Sequence, residues 1–295
     1  YDGWEFTNYS VADGLPGNQV RSVIVDRQGD VWMGIWGRGL CRLDDSGFTT
    51  FTSADGLSDT QVRPVLEDSE GRIWFGTEAG ISRYDGGAFT HFTVTDGLAA
   101  GDVWALHEDR SGKIWVGTYG GGVSVYDGHG FVSYSVRDGL ASDVVLGFGE
   151  DREGVLWVGT DDGASRYDER FATFSTREGL PGSGVSSILQ DRHGDLWVGS
   201  GARRSGGLSR YDGQHLSTLT TSDGLADNEV WSLAEDRAGT LWVGTARGVS
   251  RYRNGVMSSF PLAPGMLQFP VSFIIDGFDD ALWLGTWGGG LSRWD

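Results

Sequence analysis

Lysine is almost missing from this chain of 295 residues: of its 23 basic side chains only Lys113 is one. Cations of either kind are outnumbered by 41 acidic residues, and the net charge of −18 repels nucleic-acid phosphates and anionic lipid headgroups. A nucleic-acid partner is therefore not expected. Cys41 is the single cysteine, so no intrachain disulfide forms and the fold must rest on its core. No apolar run approaches the roughly 18 residues that a membrane-spanning helix needs, and direct membrane insertion is not expected. The five histidines, His91, His107, His129, His193 and His215, are dispersed and make neither a triad nor a metal cluster. An HExxH motif, a nucleophile elbow, a phosphate loop and the alternating ligands of a calcium loop are all lacking. No catalytic residue, metal or cofactor is assigned.

Glycine and tryptophan are plentiful instead, at 49 and 13 residues, and they recur in register. A "W-x-G" unit occurs at Trp32, Trp74, Trp115, Trp157, Trp197, Trp242 and Trp283, at spacings of 40 to 45 residues. "DGL" or a close relative precedes each of the first six copies, and in the seventh it has decayed to "PGM" at 264–266. "SRYD"-like and "FTxFT"-like stretches follow. Within one repeat, residues 61–93, the segments "QVRPVLED", "RIWFGT", "GISRYD" and "AFTHFT" are rich in β-branched and aromatic residues and bounded by Gly, Asp or Ser. They read as four short strands, the first two joined by an Asp-x-x-Gly type I turn.

Four-stranded units repeating about every 42 residues predict an all-β, seven-bladed propeller of antiparallel blades. The chain opens on a stretch resembling an outermost strand and stops after a third strand. Residues 1–10 are therefore expected to complete a seventh blade with 271–295, closing one domain over 1–295 and placing the first and last blades side by side.

The pattern "DGL…N-x-V…D-x-x-G-x-hW-x-GT…GGLSRYD" resembles the two-component regulator propeller repeat over essentially the whole chain. That resemblance implies a ligand-sensing module of a bacterial signalling protein, periplasmic or extracellular, often for glycan fragments, fused or docked to signalling domains. Fold analogy carries no site by itself.

The repeat identifies its own scaffold, so residues that break it are the informative ones. The seven "W-x-G" tryptophans read as packing between blades, and the glycine two positions later as allowing close backbone approach. The "SRYD" arginines, absent only where Val125 stands, read as ion-pairing or stacking residues. Beside the turn aspartates lie Glu67, Glu108, Glu150, Glu235 and Asp276, whose plainer reading is pairing with Arg110, Arg152 and Arg237 rather than holding a cation.

Two positions diverge. The loops between second and third strands carry Trp36, Arg38, Glu78, Tyr119, Asp161, Arg203, Arg204, Arg247 and Trp287. Eleven residues before each scaffold tryptophan come Arg21, Arg63, Trp104, Leu146, Ser186, Trp231 and Ser272. In a propeller both sets face one channel mouth, where variable loops meet over a rigid ring. Aromatic faces beside guanidinium and carboxylate groups suit sugar rings, whose C–H faces stack while their hydroxyls hydrogen-bond. The expected ligand is an oligosaccharide or similar polar small molecule, held by Trp36 and Trp287 with Arg21 and Arg38 beside them. A propeller lyase and a peptide platform are the alternatives. Against the lyase, His107 and Glu108 are strand neighbours and point to opposite faces.

Overall fold

Three short signals write each blade. The first is a capping box at the outermost strand's end. After the outermost strand of blade seven, on the way into blade one, the Ser10 backbone N–H donates to Asp13 at 2.9 Å, and Gly14 ends the single 3-10 turn at φ 103°. A side chain strains in that left-handed region, hence the glycine. The same box forms six times, and the leucine after each glycine (Leu15, Leu57, Leu98, Leu140, Leu180 and Leu225) is buried. Each such burial stabilises the ring by about 1.5–3 kcal/mol.

The second signal is the Asp-x-x-Gly turn. The Gly29 N–H donates to the Asp26 carbonyl at 2.9 Å, while the Asp26 carboxylate accepts from the backbone of Gln28 and Asp30 and from the Trp32 indole at 2.7 Å. The indole–carboxylate bond recurs as Trp74–Asp68, Trp115–Asp109, Trp157–Asp151, Trp197–Asp191 and Trp242–Asp236, between 2.6 and 3.2 Å. These tryptophans are thus anchored as well as packed. Burial alone would raise the Asp68 carboxyl, but the bonds from Trp74 and Arg72 outweigh it and hold the group below its ordinary value.

The third signal is the glycine of "W-x-G". A Cβ on Gly117 would stand 2.5 Å from Val145 of the next blade, and one on Gly199 would stand 2.6 Å from Val230. Close blade-to-blade approach requires glycine here, as the repeat implied.

These signals assemble a seven-bladed β-propeller. The computed structural model describes residues 6–202, 205–260, 269–277 and 281–294, and among them there is no α-helix. Seven four-stranded antiparallel sheets run in order from inner to outer strand. Blade one, for example, comprises Val20–Val25, Val31–Ile35, Gly39–Asp44 and Gly47–Phe51. In blade seven, Val271–Asp276, Leu282–Thr286 and Gly290–Trp294 are completed by Phe6–Tyr9, whose register runs Phe6↔Trp294 to Tyr9↔Leu291. Tyr9 stacks on Trp283 at 6.3 Å, and the Ser292 hydroxyl donates to Asn8 at 2.7 Å. The side chain of Phe6, expected to bury here, lies outside the described residues.

The core lies between blades: Trp32 and Leu40 of blade one pack with Val62, Val65, Ile73 and Phe75 of blade two. Cys41 is buried, and burial pushes its thiol up to about 11, leaving it protonated and inert at neutral pH.

Candidate ligand site at the channel mouth

The divergent position on each inner strand has a backbone cause. Pairing between first and second strands slips by one residue between Val20 and Ser22, Val103 and Ala105, Val145 and Gly147, Val185 and Ser187, Val230 and Ser232, and Val271 and Phe273. The skipped residues are Arg21, Trp104, Leu146, Ser186, Trp231 and Ser272. A bulge takes its residue out of the ladder and re-aims the side chain. In blade two the same segment bonds through the Arg63 N–H to Gly76 O and the Gly76 N–H to Pro64 O.

The second-to-third loops are tied beside these bulges. The Trp36 N–H donates to Gln19 O at 3.1 Å, Tyr119 to Asp102 O at 2.8 Å and Trp287 to Pro270 O at 3.0 Å. The two divergent sets thus meet. Trp231 lies 5.8 Å from Trp287. The Arg21 guanidinium sits over Trp287 at 3.9 Å and over Trp36 at 5.0 Å. Arg63 follows, over Trp36 at 4.4 Å and Trp104 at 4.9 Å, and Trp104 meets Tyr119 at 5.1 Å. One belt of alternating indole and guanidinium spans blades six, seven, one, two and three. Trp104, Tyr119 and Trp287 stay exposed within it. Trp36 and Trp287 are bridged through Arg21 rather than touching ring to ring.

The two arginines of the belt differ electrically. Arg63 pairs with Asp102 and, at 2.9 Å, with Glu78, which also accepts from Gln61. Arg21 has no carboxylate partner among the described residues, and its Nε is buried without a hydrogen bond. Burial first, and the Arg63 cation second, weaken its hold on the proton. A partly buried guanidinium without a carboxylate partner, set between two indoles, favours an arriving anion or hydroxyl oxygen.

Other expected residues stand apart. Arg38 is exposed and lies over Gly17 of its own blade, not beside the indoles, because the loop's turn directs it outward. Arg247 pairs with Asp227 at 3.3 Å and is largely exposed. Asp161 is exposed, and only its backbone is bonded, to Val144 O at 3.1 Å. Arg203 and Arg204 lie outside the described residues. Ser186 of blade five donates to Val230 O at 2.5 Å and Ser272 of blade seven to Val20 O at 2.7 Å, so both hydroxyls are spent on the next blade. Asp102 and Gln61 went unnoticed in the sequence. Both lie two residues before the divergent inner-strand position, where Gln19, Val144, Gly184, Glu229 and Pro270 also differ in chemistry.

At the opposite face the carboxylates latch adjacent blades. Glu67 accepts from the Arg27 backbone, Glu108 from the Ser69 backbone and hydroxyl, and Glu235 from Arg192. Glu150 takes Arg110 at 3.2 Å and His107 at 3.2 Å. Of the arginines expected to pair with these carboxylates, Arg110 does so, with Glu150, and the partners of Glu67, Glu108, Glu150 and Glu235 all come from the preceding blade. His107 and Glu108 reach opposite blades, as strand alternation requires.

A closed ring that varies its chemistry at a single mouth defines the molecule as a seven-bladed repeat propeller. The chain belongs to the two component regulator propeller family, whose repeat matches residues 14–37, 56–79, 97–120, 139–162, 179–202 and 224–247. Curated proteins offer no match. Among solved structures, the extracellular domain of a putative hybrid two component system from B. thetaiotaomicron is similar at 24% identity and TM-score 0.85, over 98% of this chain. The chain spans 40% of that domain. Virginiamycin B lyase from Staphylococcus aureus is similar at 16% identity and TM-score 0.77, over 99% of this chain and 98% of its own. At these identities the likeness is one of fold. Among the described residues no helix is long and apolar enough to cross a membrane.

Proposed function

We propose that this propeller is a non-catalytic sensor module. It works in the periplasm or outside the cell, fused or docked to signalling domains, and binds a carbohydrate or similar polar small ligand at the belted mouth. The observation that carries the reading is the unpaired Arg21 guanidinium between Trp36 and Trp287. The exposed parts of Trp287, Trp104 and Tyr119 give a saccharide ring apolar surface, and the half-buried Arg21, without a carboxylate partner, gives its hydroxyl or carboxylate oxygens a donor. Family membership supports the sensor role, and the extracellular domains of putative hybrid two component systems share the fold.

The test is calorimetry against a panel of neutral and uronate-containing oligosaccharides, followed by Arg21→Ala and Trp287→Ala on the best binder. Binding should fall several-fold in each variant while the ligand is recovered intact. A panel without a binder, affinity unmoved in both variants, or a cleaved ligand would each sink the proposal.

A further inference from the structure

At five seams between blades, an aromatic side chain from the third strand of the following blade closes over the scaffold indole. Tyr84 meets Trp32 at 5.8 Å, Tyr126 meets Trp74 at 5.6 Å and Tyr167 meets Trp115 at 5.1 Å. Tyr252 meets Trp197 at 4.9 Å and Trp294 meets Trp242 at 5.1 Å. Where blade seven meets blade one, Leu43 takes that position and packs into the cluster around Trp283.

The seam of blades four and five lacks this cover. Tyr211 stands at the equivalent position but is 42% exposed, and among the described residues it makes no ring contact with Trp157. Its cross-strand partner gives the reason. The register sets Tyr84 opposite Phe89, Tyr126 opposite Phe131 and Tyr167 opposite Phe171, with the rings 4.8 to 5.1 Å apart. Tyr211 faces Leu216 instead and has no ring to pack on. Tyr252, opposite Met257, is held in place by a bond from Arg210 at 3.3 Å. A second cover is missing as well. Arg42, Arg83, Arg210 and Arg293 lie over the indoles of their own blades at 5.5 to 5.7 Å, whereas Arg166, opposite Trp157, pairs with Asp168 at 3.3 Å. Trp157 is accordingly half-buried, while the other six scaffold indoles are at most 5% exposed.

A pocket of about 370 Å³ results, walled by Trp157, Phe174, Leu180, Leu196, Tyr211 and Leu216. Its polar groups are already answered. The Trp157 indole N–H donates to Asp151 at 3.2 Å and the Tyr211 hydroxyl to Gly213 O at 2.9 Å. At the rim, Glu178 accepts from the Ser175 backbone at 2.7 Å, and Arg166 keeps its carboxylate partner. What the pocket lacks is a ring, not a charge.

We propose that this seam pocket is a second binding site, which takes an uncharged small molecule carrying an aromatic ring and sets that ring against Trp157. The repeat itself identifies the occupant, since five other seams complete the same indole with a tyrosine or tryptophan ring. Phe174, 5.3 Å from Trp157, supplies a second aromatic wall, and the volume suits one small molecule rather than a chain segment. The pocket shares no residue with the belt at the mouth and does not depend on what binds there.

Naphthol and its saturated counterpart decalol are titrated calorimetrically into the whole chain, with acetyl-naphthylalanine methylamide as an arm for a ring borne on a peptide. Naphthol should bind saturably and decalol several-fold more weakly, because only the aromatic ring gains the edge and face contacts. On naphthol binding the indole N–H resonance of Trp157 should move while that of Trp115 stays, a readout that needs no variant. Leu216→Phe restores the ring that Phe89, Phe131 and Phe171 supply elsewhere and should abolish binding without lowering the melting temperature. Arg21→Ala and Trp287→Ala should bind naphthol unchanged. The proposal is overturned by an absence of saturable binding, by equal affinity for decalol, by an unmoved Trp157 resonance or by undiminished binding in L216F. Tighter binding of the naphthylalanine amide, which would make the pocket a peptide site, or loss in the mouth variants overturns it equally.

Discussion

The two ends of the same inner hairpins obey opposite rules. At the turn end, blades one to six repeat one arrangement, a carboxylate held by an indole and by backbone amide groups, and in blades two to six a neighbouring carboxylate or amide group latches onto the preceding blade. At the mouth end, the structurally equivalent residue is Arg, Trp, Leu or Ser. The turn end is periodic because every blade must grip its neighbour in the same way. The mouth bears no such demand, so chemistry collects there. Periodicity separates scaffold from site in this molecule more sharply than burial does, since Arg21 and Arg63 of the belt are themselves half-buried.

The strongest test of that contrast removes ring closure. Deleting residues 1–9 strips the outer strand and the Tyr9–Trp283 stack from blade seven, leaving an open edge. A stability loss of roughly 5 kcal/mol or more is expected. Melting unchanged from the full chain would mean that closure is not what holds the ring.

Next comes the turn end. Asp68→Ala strands the Trp74 indole and two backbone amides in a buried position, and chemical denaturation should reveal a cost of about 3 kcal/mol or more. Ligand affinity of the folded fraction should not move. Acid probes the same ring without mutation. Asp68 and Asp109 are held below their ordinary value of 3.8, so the stability they contribute is whole above that pH. It is shed as the pH falls through the lowered values, and Asp68→Asn should blunt that acid limb in melting curves taken across pH 2 to about 5.

Smaller effects belong to the mouth. Trp287→Ala or Arg21→Ala should lower affinity for the best oligosaccharide several-fold, since one aromatic contact of this kind contributes about 0.5–1.5 kcal/mol beyond area burial. Their melting points should stay within a few degrees of the parent, and a large drop in either would assign the residue to the scaffold. Least of all should come from Arg38→Ala and Arg247→Ala. Both lie off the belt, and a tenfold change in affinity from either would redraw the site around the outer loops.

Much of the fold was legible in the sequence because seven copies average out local ambiguity: tryptophan spacing, turn aspartates and the split seventh blade all point one way. The mouth was legible as a set of positions that break the repeat, and Arg21, Trp36, Arg63, Trp104, Tyr119, Trp231 and Trp287 do meet. The direction of each side chain was not legible. Whether Arg38 or Arg21 fills the gap between Trp36 and Trp287 depends on a one-residue slip in the ladder and on how a glycine turn aims its neighbour. The capping box behind "DGL" was present as Ser/Thr-x-x-Asp/Glu in six copies, but it pointed to a single 3-10 turn rather than to a helix. The latch partners escaped because the bond reaches into the adjacent blade, about forty residues away.

The bulge at the mouth has a further consequence for how such a protein changes over generations. A residue outside the ladder can be exchanged without disturbing a strand–strand bond of its own blade, and at Arg21, Trp104, Leu146 and Trp231, unlike Ser186 and Ser272, no side-chain hydrogen bond to the next blade is given up either. Recognition and foldability are thereby written in different letters of the same strand. A library varied only at Arg21, Trp104, Leu146 and Trp231 should keep most members folded while spreading their preferences across ligands, a separation that an unbulged inner strand would not offer.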